Sequence, residues 1–109
     1  GRGGNYVINT GGEKVYSEEV EEVIKSNPKA RDVAVIGIPD DKWGEAVTAI
    51  VELNPGEKAT EDGIREFCRG KIAGFKIPKN VVFHKVARTG HEKIMRFEMI
   101  EVALKGMGK

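Results

Sequence analysis

The sequence predicts an α+β fold: a small three-stranded sheet with helices packed on it, plus an N-terminal β-hairpin. Three observations carry that prediction. Two nearly continuous apolar runs, DVAVIGI at 32–38 and AVTAIVEL at 46–53, have strand length and β-branched content. Two segments between turn signals, beginning near Ser17 and Thr60, place apolar residues at helical spacing. Thr10-Gly11-Gly12 separates two short β-type runs, with glycines suited to the positive φ of a hairpin turn.

Taken in order, NYVIN at 5–9 and EKVY at 13–16 form the hairpin. Ser17 is the expected N-cap of a first helix, with Glu18 and Glu19 favourable at its positive end. Val20, Val23 and Ile24 give that helix an apolar face, and Asn27-Pro28 ends it. The 32–38 run reads as a strand buried on both faces, closed by Pro39-Asp40-Asp41, and the 46–53 run is closed by Asn54-Pro55-Gly56. Thr60 caps a second helix whose inner stripe is Ile64, Phe67, Cys68 and Ile72; Val20 and Phe67 are expected to be core only. Gly74 and Pro78 break the pattern before a third main strand, NVVFHKV at 80–86. Phe97, Ile100, Ala103 and Leu104 mark a last helix, and the tail is expected to fray.

A chain of 109 residues supports one domain, 1–109, but no deep enclosed pocket of its own beside a core. Lysine and arginine total 18 against 17 acidic residues, which argues against a dedicated nucleic-acid binder. The lone Cys68 cannot form an internal disulfide and reads as a buried, inert thiol. No apolar run reaches the ~20 residues of a membrane span and no signal-peptide pattern is present, so the simplest compartment is cytoplasmic. His84, His91 and Cys68 lack ligand spacing, so no metal site is expected. Five of the first twelve residues are glycine, which reads as a connector and implies a chain cut from something larger.

Four loops remain as candidates for function. Gly11-Gly12-Glu13-Lys14, Lys42-Trp43-Gly44 and Gly74-Phe75-Lys76 each mix glycine with a cation or an aromatic. Glycines 1, 3, 4, 11 and 12 suit phosphates, but linker and hairpin duty is the commoner use. Trp43 is either a cap over the core or a stacking surface; Phe75 fits a base-stacking platform, with a core anchor favoured. The fourth loop, 88–93, delivers Arg88, His91 and Lys93 just before the last helix. It is a solvated turn, or it carries its lysine to something bound elsewhere.

The strings INTGGEKVYSEEVEEVI, DVAVIGIPDDKWGEAVTAIVEL, GKIAGFKIPKNVVF and ARTGHEKIMR resemble, in order and spacing, the C-terminal domain of adenylate-forming enzymes. That superfamily includes acyl-CoA synthetases, luciferases and peptide-synthetase adenylation domains, and INTGGEKVY is most like the fatty-acyl–CoA ligases. The resemblance covers essentially the whole chain. It implies an acid–thiol ligase that activates a carboxylic acid with ATP as acyl-AMP and passes the acyl group to coenzyme A. It also implies an N-terminal domain of the same polypeptide that holds ATP, its Mg and the acid, while the C-terminal domain rotates between half-reactions. The isolated chain is then expected to be inactive. A carrier-protein thiol as acceptor, or a non-catalytic nucleotide- or CoA-binding module, are the rival readings.

Residue by residue, the resemblance gives Lys93 the place of the lysine carried into the adenylation site. An ammonium there stabilises charge developing on the phosphoryl oxygens. Arg2 matches an arginine that contacts the nucleotide ribose, and Gly4 stands at the hinge position usually held by Asp or Lys. Gly12 matches a glycine lining the pantetheine passage. Trp43 and Phe75 match CoA-contacting positions, with Lys14 and Lys76 beside them for CoA phosphates. The chain departs from the family pattern PRTxxGK, since Ala87 replaces proline and Glu92 replaces the glycine before Lys93. Asn5 stands where Asp is common, and Ile77 stands where an arginine sometimes follows the aromatic.

Overall fold

A computed structural model describes residues 6–108. β1 (Val7–Thr10) and β2 (Glu13–Tyr16) form the hairpin, and α1 (Ser17–Lys25) follows directly. The long strands β3 (Ala30–Asp40) and β4 (Gly44–Leu53) pair antiparallel, from Ala30 opposite Leu53 to Asp40 opposite Gly44. α2 (Glu61–Cys68) then crosses over to β5 (Asn80–Phe83), which runs parallel to β4. A parallel neighbour requires such a crossover, and the helix supplies it. α3 (Arg96–Gly106) closes the chain. The hairpin is continuous with the three main strands through one bridge, Thr10 opposite Gly44. The α+β expectation therefore holds, with a five-stranded sheet among the described residues.

Side-chain alternation along β3 and β4 builds two cores. Val33, Val35, Val47, Ala49 and Val51 face one side, where α1 and α2 cover them with Val20, Ile24, Ile64 and Cys68. Ala34, Ile36, Ile38 and Ile50 face the other, where α3 lays Met99 and Ala103. Burial on both faces explains why the two strands read as unbroken apolar runs.

β3 leaves a free backbone edge, and side chains from other elements satisfy it. Val35 N–H donates to Glu21 Oε2 at 2.8 Å, and Val35 C=O accepts from Arg96 at 2.9 Å. Gly37 N–H donates to the Tyr6 hydroxyl at 3.2 Å. Arg96 also pairs with Glu21 at 3.0 Å and stacks 4.7 Å from the Tyr6 ring centroid.

Thr60 caps α2 as expected, its hydroxyl accepting from Gly63 N–H at 2.9 Å. Ser17 does not cap α1: Tyr16 occupies the N-cap position, and the Ser17 hydroxyl is buried with no hydrogen-bond partner among the described residues. α2 ends at Cys68, so Ile72 packs on the core from outside the helix, and Phe67 is only half-buried. β5 stops at Phe83 rather than Val86. Phe97 is 88% exposed, and Met99 takes the buried place on α3. Among the described residues no helix is long and apolar enough to cross a membrane.

Candidate functional site

The 88–95 loop is a closed, well-bonded turn. Thr89 organises it: its N–H donates to Lys93 C=O at 2.8 Å, and its carbonyl accepts from Glu92 N–H at 2.9 Å. Its hydroxyl accepts from His91 N–H at 3.1 Å and from Lys93 N–H at 3.2 Å. Met95 N–H donates to Ala87 C=O at 2.9 Å and closes the base. Lys93 is exposed, on the rim of an open cleft of about 390 Å3 that Glu18, Glu22, Lys25, Arg88 and Glu92 also line. A fixed backbone thus presents a solvent-facing ammonium.

Glu92 has φ 67°, the one described non-glycine residue in the left-handed region. A side chain there is strained, whereas glycine is at ease. The departure from the glycine of the resembled pattern thus falls on a position whose backbone favours glycine.

Arg88 ties the loop to β3. Its Nε and one terminal nitrogen donate to the two Asp32 carboxylate oxygens at 2.7 and 2.8 Å. Burial alone would push the Asp32 carboxyl up. The Arg88 fork, Val33 N–H and the nearby Lys25 outweigh it and hold the group below its ordinary 3.8. Its contribution to stability is therefore present above that value and is lost as pH falls through the folded pKa.

The other end of the β3–β4 pair holds the Trp43 turn and the hairpin tip. Asp40 Oδ1 accepts from Lys42 N–H at 2.8 Å and Trp43 N–H at 2.9 Å, fixing the turn. Gly11 N–H donates to Trp43 C=O at 2.8 Å. Gly11 has φ 59°, and a Cβ there would lie 2.8 Å from the indole, so both the backbone and the close approach to the ring favour glycine. At Gly12, φ is 85° and an added Cβ would meet nothing within 4 Å, so that surface is open. Lys79 Nζ sits 4.4 Å and Lys42 Nζ 5.1 Å from the half-buried Trp43 ring centroid, a π-face flanked by two cations.

Phe75 lies in a one-turn 3-10 segment, Gly74–Lys76, and is 39% exposed rather than a core anchor. Lys76 Nζ pairs with Glu19 Oε1 at 2.8 Å and lies 5.7 Å from the Phe75 ring. Lys14 is exposed on β2. Arg2 and Gly4 lie outside the described residues. The local sequence around Lys79 carries no signal of its approach to the Trp43 turn, 36 residues earlier in the chain. Arg88 was noted only as a cation, since its partner is 56 residues away. Among the described residues no group of three or more His, Cys, Asp or Glu is placed to hold a metal.

The sequence matches the AMP-binding enzyme C-terminal domain over residues 19–93. The chain belongs to that family. Among its relatives, 3-oxocholest-4-en-26-oate–CoA ligase of Rhodococcus rhodochrous is 49% identical over 80 residues, covering 73% of this chain and 14% of the relative. 4-Hydroxybutyrate–CoA ligase 2 of Metallosphaera sedula is 45% identical over 91 residues, covering 84% of this chain and 17% of the relative. The solved fatty acyl CoA synthetase of Mycobacterium tuberculosis superposes with a TM-score of 0.81 at 41% identity, covering 88% of this chain and 19% of that one. The chain thus spans 14–17% of the length of these curated relatives.

Proposed function

We propose that this chain is the mobile C-terminal domain of an ATP-dependent acyl-CoA ligase, with Lys93 serving acyl-AMP formation and the Trp43 end serving thioester formation. The carrying observation is the separation of the two candidate clusters. Arg88 anchors the Lys93 loop at Asp32, whereas the Trp43 turn begins at Asp40. Along one strand that span is about 26 Å at ~3.3 Å per residue. One rigid body cannot offer both ends to one bound nucleotide at once, so the arrangement supports use of one end per half-reaction.

In the first half-reaction a carboxylate attacks the α-phosphorus of ATP, the bond to the β-phosphate breaks, pyrophosphate leaves, and negative charge builds on the phosphoryl oxygens on the way to acyl-AMP. The Lys93 ammonium, on a long stem from a fixed backbone, would meet that charge where water is excluded. In the second, the open hairpin surface at Gly12 would line the path of the thiol. The Trp43 face with Lys42 and Lys79, together with Lys14, Phe75 and Lys76, would take the coenzyme's nucleotide and phosphates. Arg2 would reach the nucleotide ribose and Gly4 would supply the hinge.

ATP, its Mg and the acid would be held mainly by a preceding domain. An apolar groove beside Tyr6, lined by Pro39, Phe97 and Ile100, offers that domain a seat. The two relatives named above are ligases of very different acids, which supports placing acid selection outside this domain.

The test uses the full-length enzyme. Lys93→Ala should slow acyl-AMP formation by about 100- to 1000-fold, the effect of removing one preorganised charge-stabilising donor. Thioester formation from supplied acyl-AMP should stay near wild type. Equal losses in both half-reactions would refute the assignment.

A further inference from the structure

The 88–95 loop holds its lysine through a second residue, Arg88. Arg88 uses its whole guanidinium edge. Two nitrogens grip Asp32, and the third donates to the Glu92 carbonyl at 2.6 Å, the peptide oxygen directly before Lys93. Asp32 is itself fixed: one of its oxygens accepts from Val33 N–H at 2.9 Å and lies 3.5 Å from Lys25 Nζ. It pairs with Glu52 of β4 just after the bulge at Arg31, and the register is unbroken from there to Asp40. The chain of contacts therefore runs from the rigid sheet, through Asp32 and Arg88, to the backbone of residue 92. It ends at a residue whose φ of 67° only surrounding structure can hold.

We propose that Arg88 and Asp32 are positioning residues for Lys93: they fix the loop that aims the ammonium and do not themselves touch the nucleotide. This rests on the reading of Lys93 given above. Asp32 neutralises Arg88 in a fork only partly open to solvent, which leaves the guanidinium little free charge to offer a phosphate. The geometry also explains the residue type. A lysine would keep the charge but could not span the carboxylate and a backbone carbonyl in one plane.

The experiment is a double-mutant cycle in the full-length ligase, reading pyrophosphate release and, separately, thioester formation from supplied acyl-AMP. Arg88→Met should slow the first by about 10- to 100-fold, the scale of a misplaced catalytic group. Asp32→Asn should act in the same direction, and Arg88→Lys should recover only part of the loss. The thioester step should change less than about twofold, and so should adenylation when either change is added to Lys93→Ala. An equal loss in both steps, an undiminished loss in the Lys93→Ala background, or full recovery by lysine would overturn the proposal. If Lys93→Ala leaves adenylation intact, the parent reading fails instead. Should Arg88→Met fail to fold, the near-isosteric Asp32→Asn carries the same cycle.

Discussion

Glu92 bears a backbone cost that a glycine would not. The left-handed region costs a side-chain-bearing residue about 1–2 kcal/mol, while glycine loses roughly 0.4–1 kcal/mol through its freer unfolded chain. Glu92→Gly should therefore raise unfolding stability by about 0.5–1 kcal/mol, read by urea denaturation of the purified chain; a lower stability would mean that the glutamate side chain supplies compensation. At this scale the sequence disclosed the residues that speak for themselves. Lys93 and Trp43 stand out in polar loops, and a glycine pair marks a hairpin. It did not disclose Arg88 or Lys79, because their meaning lies in partners brought close only by folding. Nor did it place Phe97, since the helical spacing that includes it does not settle which face meets the sheet.

The edge of β3 joins α1 and α3 through a buried ion pair. Burial pushes the Glu21 carboxyl above its ordinary 4.5, although Val35 N–H and Arg96 pull the other way. Stability linked to this group is present below that value and is lost as pH rises through the folded pKa. Arg96→Met would leave the carboxylate without its charge partner, at a cost of about 3 kcal/mol near neutral pH. The deficit should shrink towards pH 4, where Glu21 can take up a proton. Thermal unfolding of both forms at the two pH values checks this, and a deficit independent of pH would assign the loss to packing alone. The strands and helices were legible as elements because their apolar spacing is set by the two cores. Their ends were less so: β5 ends three residues early, and the start of α1 falls at Ser17 instead of after it. Those limits depend on pairing and packing between distant segments, which local propensity does not encode.

As a whole molecule, the domain places the Lys93 loop and the Trp43 turn at opposite ends of the β3–β4 pair, and the cleft beside Lys93 is open. Purified 109-residue chain mixed with ATP, coenzyme A and assorted carboxylic acids should release no pyrophosphate; turnover would contradict the proposed division of labour. The α+β architecture could be read from the order of runs, but the distance between the ends could not. It comes from the length of the β3–β4 pair, two residues longer at each end of β3 than the apolar run suggests. The covered rim of β3 bears on how such a domain survives in concentrated solution. Bare strand edges recruit other chains and seed fibres. Here Tyr6, Glu21 and Arg96 occupy the backbone groups an incoming strand would need at Val35 and Gly37. On the proposed reading, a domain that swings free of its neighbour then offers no bare backbone groups at Val35 and Gly37 for self-association.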